Sequence, residues 1–152
     1  MAHTNSKRDL EAGDTLARRS IDIISYLRPK FSTIENPASG LLPKRGYMMN
    51  LPKKIASYCC YGMPYRKNTC FWISRTLENW VPLMCDNKNC DAMGLNDKGR
   101  LVHLCSAQKG RSRAIWSTDR DFKTEELYII PSGLVESIYD AINSYGVGDS
   151  VY

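Results

Sequence analysis

A chain of 152 residues, 43% hydrophobic and 24% charged, shows ordinary globular usage and carries enough apolar material for one packed core. Its net charge of +5 permits a polyanionic partner without requiring one. No apolar run is long enough to span a bilayer, and Met1-Ala2-His3-Thr4-Asn5-Ser6-Lys7-Arg8 lacks a signal-like core, which sets aside membrane and secretory classes. The expectation is an intracellular protein of nucleus or cytoplasm with reduced thiols. Its six cysteines then suggest metal before disulfides.

Residues 1–8 are polar and expected to be loose. A helix is predicted from about Asp9 or Asp14 to Leu27, with Leu16, Ile23, Ile24 and Leu27 on one core-facing side. Asp9, Glu11 and Asp14 suit its positive end, and Arg28-Pro29 stops it. Phe31-Ser32-Thr33-Ile34-Glu35 reads as a strand, which makes an αβ unit of a mostly parallel sheet. Pro37 holds Asn36 extended, so Glu35 lies at a strand's carboxyl end, where open α/β sheets bind ligands. Glu35 is there either a solvated strand-end carboxylate or a group that protonates or polarises a substrate nitrogen.

Ala38-Ser39-Gly40 is a small-residue turn, Tyr47-Met48-Met49 a short helix, and Lys53 to Cys60 a second strand. Tyr61-Gly62-Met63-Pro64 turns the chain, Arg66-Lys67-Asn68-Thr69 is a polar bridge, and Cys70 to Ser74 is an apolar third strand. Together they read as a hairpin with a basic tip. From Leu77 to Arg120 the periodicity fades, as in a functional stretch or one held by something other than a core. Inside it lies Cys85-x4-Cys90-x12-His103-x-Cys105, with ligand types suited to zinc, although three buried thiols and a surface histidine fit the same residues. Cys59, Cys60 and Cys70 read as core thiols. Lys98-Gly99-Arg100 and Lys109-Gly110-Arg111-Ser112-Arg113 flank the group with cation, either phosphate-facing or simply solvated. Leu127 to Gly133 leads into a last helix that begins at Pro131 or Ser132 and ends at Gly146. Leu134, Ile138, Ala141, Ile142 and Tyr145 form its core face.

The order of these segments resembles the DNA (cytosine-5) methyltransferase family. Ile34-Glu35-Asn36-Pro37 is similar to the family's Glu-Asn motif in the form followed by proline, as in phage and algal members. Arg8-Asp9-Leu10-Glu11, the first helix and Tyr26-Leu27-Arg28-Pro29 resemble the stretch before that motif. Tyr61-Gly62-Met63-Pro64-Tyr65-Arg66-Lys67-Asn68-Thr69 resembles the Gln-x-Arg-x-Arg segment, with Lys67 alone at its middle basic position. Cys, Cys and His ahead of Ala107-Gln108-Lys109-Gly110 look like the phage-type members, and Ile130-Pro131-Ser132-Gly133-Leu134 like the start of the final helix.

This likeness covers most of residues 7–145 and implies an α/β fold. The fold would be the C-terminal portion of a Rossmann-like methyltransferase sheet plus an irregular, zinc-stapled target-recognition segment. The implied divisions are residues 1–76 for the sheet, 77–126 for recognition and 127–152 for the closing helix. The implied reaction moves a methyl group from S-adenosylmethionine to C5 of cytosine in DNA, on a base flipped out of the duplex. Glu35 would contact N3 with a proton it carries or shares, Asn36 would orient the loop, and Arg66 and Lys67 would face phosphate or the flipped nucleotide. Lys109, Arg111 and Arg113 would meet DNA, and Cys85, Cys90, His103 and Cys105 would hold zinc.

Two parts of the family's machinery have no counterpart in the sequence. There is no Pro-Cys to supply the nucleophile, and no Gly-rich cofactor loop follows a first strand; Gly146-Val147-Gly148 follows a helix instead. The chain alone is therefore expected to be inactive, with a separate polypeptide carrying the N-terminal methyltransferase half as its partner. Two other readings compete: a zinc-stabilised nucleic-acid-binding module without catalysis, and a fragment of a tRNA cytosine methyltransferase.

Overall fold

The structure, a computed structural model, describes residues 9–88, 90–103, 105–106, 122 and 124–145. The loose start expected for residues 1–8, the stop expected at Gly146, and Lys109, Arg111 and Arg113 lie outside the described residues.

Helix α1 spans Leu10–Leu27. Asp9 caps it by accepting the Ala12 N–H at 2.9 Å. Arg28 ends it in the left-handed region at φ 46°, donating to the Ile24 carbonyl, and Pro29 cannot continue the ladder. The face it buries is not the predicted one. Leu16 and Leu27 are 72% and 66% exposed, while Ala17 is buried and Ile21 packs inward. The cause is a polar clasp. Arg45 pairs with Asp14, the Tyr47 hydroxyl donates to Asp14 Oδ1 at 2.8 Å, and the Arg18 guanidinium lies 4.1 Å from the Tyr47 ring centre. Asp14, Ala17, Arg18 and Ile21 share one helical face, so the clasp turns that stripe inward and leaves the Leu16 stripe outside.

Strand β1 covers Thr33–Pro37, two residues later than expected, and Phe31 packs against the main core instead. A 3-10 turn at Leu42–Lys44 and the short helix α2, Gly46–Met49, lead to β2, Lys53–Ser57. After β3, Tyr65–Arg66, comes β4, Asn68–Ile73. The sheet order is β1-β4-β2, and both pairings are antiparallel, with Glu35 and Lys54 each opposite Phe71. The expected mostly parallel sheet is thus replaced by a small antiparallel one. The crossover through α2 sets β2 one place beyond β1 in the same direction, and β4 returns into the gap. Among the described residues the parallel pairing is the two-residue match of β3 with β7, Cys105–Ser106.

The pleat of β4 divides the core. Phe71 and Ile73 join Ala56, Tyr58, Tyr65, Leu77, Trp80 and Leu134 on one face. Helix α4, Ser132–Tyr145, closes that face with Ile138, Ala141 and Ile142, as its periodicity predicts. Cys70 and Trp72 join Met48 on the other face, under Ile21 and Leu42, and the Trp72 indole donates to the Met48 carbonyl at 3.0 Å. A short helix α3, Thr124–Tyr128, precedes α4.

Candidate functional site

The second strand stops at Ser57, three residues early, because residues 58–61 coil into a 3-10 turn that ends at Gly62 with φ 84°. Tyr58 closes this corner by donating its N–H to the Lys67 carbonyl at 3.1 Å. The corner carries two groups of polar side chains back to back.

The first group surrounds Glu35. Its Oε1 accepts the Tyr58 hydroxyl at 3.4 Å and lies 3.9 Å from the Lys67 ammonium. Lys67 also donates to the Leu127 carbonyl at 2.8 Å, and its nitrogen sits 4.7 Å from the Tyr58 ring centre. Lys67 is therefore no hairpin tip but a half-buried ammonium, and burial pulls it below the usual lysine range while Glu35 pulls the other way. Burial pushes the Tyr58 phenol up to about 12, so it remains a donor at neutral pH. Asn36 points to the opposite face, as strand alternation requires, and lines a cavity of about 280 Å³ with Asp14, Leu42 and Arg45. Its Oδ1 crowds Gly40, where a Cβ would lie 2.9 Å away, so the turn after β1 closes on a glycine. Arg66 donates to Asn68 Oδ1 at 3.1 Å and to Asn87 Oδ1 at 2.5 Å, tying β3 to the following loop.

The second group gathers thiols and an imidazole. Cys59, Cys85, Cys90 and His103 place their ligand atoms within 4.8 Å of one another. Three of the four residues proposed from spacing are thus brought together. Cys105 is not among them: it pairs with Tyr65 in β7 and packs against the main core. Cys59, read from sequence as a strand thiol, takes the remaining place because the 3-10 turn carries it out of the sheet. Ser57, fully buried, holds the loop beside it. Its N–H donates to the Leu83 carbonyl at 3.0 Å, its hydroxyl accepts the Cys85 N–H at 3.1 Å, and the Tyr61 hydroxyl accepts the Leu83 N–H at 2.7 Å. His103 ends β6, Leu101–His103, which pairs with β5, Met93–Leu95, and faces Met93 across the ladder. Burial, and then the Arg66 charge, hold the His103 ring below its ordinary value. Burial, with the Cys90 and Cys85 thiols beside it, pushes the Cys59 thiol up. Sequence patterns single out neither Tyr58 nor Ser57 and mark Cys59 only as a core thiol, because each acquires its place only when residue 57 ends the strand.

These features define a mixed helix-and-sheet protein whose strand corner presents a carboxylate–ammonium pair beside a cysteine–histidine cluster. No family model matches the chain, and no solved structure matches it. It is 33% identical over 144 residues to the probable DNA (cytosine-5)-methyltransferase of Frog virus 3 (isolate Goorha), a match that takes in 92% of this chain. The chain spans 63% of that relative's length. The resemblance to the DNA (cytosine-5) methyltransferase family carried by the motifs therefore extends along nearly the whole chain.

Proposed function

We propose that this chain is the C-terminal part of a DNA cytosine-C5 methyltransferase, with Glu35 as the group that meets N3 of the target cytosine. The observation that carries the reading is the Glu35 corner, where Tyr58 and Lys67 both meet Oε1. Oε2 is then the oxygen left for the base. Attack at C6 drives negative charge into the cytosine ring, and a proton delivered or shared at N3 disperses it. The Tyr58 hydroxyl is nearer to Oε1, but its phenol is raised to about 12, so Lys67, 3.9 Å away and anchored by the Leu127 carbonyl, is the neighbour that returns a proton to Glu35. On this reading Arg66 meets the nucleic acid, along with Lys109, Arg111 and Arg113.

S-Adenosylmethionine, which the family implies, would supply the methyl group. The residues present do not fit it: among the described residues no Gly-rich turn joins a strand to a helix, and the turn after β1 is filled by Asn36 against Gly40. The attacking cysteine is likewise outside these 152 residues, since no Pro-Cys occurs among them. Both belong to a segment that completes the enzyme, whether joined to this chain or separate from it. β1 and β2 run in the same direction with β4 reversed between them, and on this reading the three-strand unit would be the C-terminal end of the methyltransferase sheet.

The test is reconstitution with a polypeptide that carries the cofactor loop and the Pro-Cys nucleophile. The chain alone should transfer no label from S-adenosylmethionine to DNA, and the reconstituted enzyme should. Glu35→Gln keeps the shape but delivers no proton, and should cost roughly 10²–10⁴ in turnover with DNA affinity unchanged. Unchanged turnover in that variant would make Glu35 an ordinary strand-end carboxylate. DNA binding without methylation in any reconstitution would favour the binding-module reading, and methylation of tRNA in place of DNA would move the substrate to RNA.

A further inference from the structure

We propose that Cys59, Cys85, Cys90 and His103 hold one zinc ion, and that this ion pins the segment 83–103 to the strand corner that carries Tyr58. The inference does not rest on the methyltransferase reading.

The ligand atoms are already near the required spacing. A tetrahedral zinc with sulfur at about 2.3 Å and nitrogen at about 2.0–2.1 Å sets sulfur–nitrogen separations near 3.6 Å and sulfur–sulfur separations near 3.8 Å. Cys85 Sγ lies 3.4 Å from His103 Nε2, and all four atoms fall within 4.8 Å of one another. Three thiolates and one imidazole fill every tetrahedral position, which is the closed arrangement of a structural site.

The four ligands arrive on independent supports. Cys59 comes from the 3-10 turn after β2, Cys85 from backbone tied to Ser57, and His103 from the end of β6. Cys90 is set by its carbonyl, which accepts the Met93 N–H at 3.0 Å at the mouth of the β5–β6 hairpin. Asn96 shapes the far end of that hairpin by accepting the Lys98 and Arg100 N–H groups. The segment needs such a staple. Among its described residues only Cys85, Ala92 and Asn96 are buried, which is no core for twenty residues. A zinc with three thiolates carries a net charge of −1, and the Arg66 guanidinium, bonded to Asn87 in the same segment, supplies a compensating cation. Because Cys59 directly follows Tyr58, the ion also braces the hydroxyl that meets Glu35.

The full chain, purified without chelator from zinc-supplemented medium, should contain about one zinc by elemental analysis. Cys59→Ser and Cys85→Ser should lose it, and Cys60→Ser and Cys105→Ser should keep it. Variants that misfold are bypassed by mapping N-ethylmaleimide labelling on the unaltered chain. Cys59, Cys85 and Cys90 should resist labelling until a chelator is added, while Cys105 labels at the same rate with and without the chelator. The proposal is overturned by a metal-free chain whose three thiols label equally with and without added zinc. It also fails if a disulfide accounts for their protection, or if Cys105→Ser loses zinc while Cys59→Ser retains it. None of these assays uses DNA or a methyl donor, so failure here leaves the methyltransferase reading standing.

Discussion

Asp14 shows how one side chain sets the orientation of a helix. Its hydrogen bond from Arg45 holds the carboxyl below the usual 3.8, ahead of the opposing effect of burial and the further help of Tyr47. Because the folded value is depressed, the contribution is fully present above pH 3.8 and is lost as pH falls through the lower folded value. Asp14→Asn should therefore lower the urea midpoint at neutral pH, and the gap from the parent chain should shrink below about pH 4. A gap that stays constant down to the acid limit would mean that the pair contributes nothing through its charge. Glu35 and Asn36 illustrate the complementary point. They are adjacent in the chain, yet the pleat sends one to the Tyr58–Lys67 corner and the other to the turn at Gly40.

At the scale of elements, α1 and α4 have similar apolar stripes and opposite fates. α4 lies over the β4 face and buries Leu134 completely, whereas α1 is turned by its polar clasp and leaves Leu16 72% exposed. Leu134→Ala should cost about 2–5 kcal/mol in denaturant unfolding, because it opens a cavity among packed side chains. Leu16→Ala should stay within about 0.5 kcal/mol. Equal losses at the two positions would show that α1 buries its Leu16 stripe in solution. The β5–β6 hairpin makes a different use of local structure: its register places His103 opposite Met93, so a turn held by Asn96 brings an imidazole nitrogen to thiols elsewhere in the sequence.

For the whole molecule, the +5 charge becomes informative through where cation is concentrated. In the proposed enzyme, changing Lys109, Arg111 and Arg113 together to uncharged residues should weaken DNA binding across all sequences. It should also flatten the plot of log affinity against log salt by up to about 3. A slope identical to that of the parent chain would remove these residues from the DNA interface. In that proposed enzyme, loss of the proposed zinc and loss of these charges should be separable, since one would loosen segment 83–103 and the other would remove an attraction for phosphate.

Local signals in the sequence determined both long helices, the short helix at residues 46–49, the hairpin of β2 with β4, and three of the four clustered cysteine and histidine residues. Helical periodicity, proline stops and cysteine spacing act within a few residues, so they survive without a partner to pack against. The likeness around Glu-Asn-Pro was equally legible, because a motif is a local pattern. The strand order, the inward face of α1, the pairing of Lys67 with Glu35 and the exchange of Cys105 for Cys59 were decided only by the tertiary structure. Each depends on a contact between residues distant in the chain: β4 entering between β1 and β2, Arg45 reaching Asp14, and Ser57 ending its strand to hold Cys85. Non-local hydrogen bonds selected among arrangements that local propensity left equivalent.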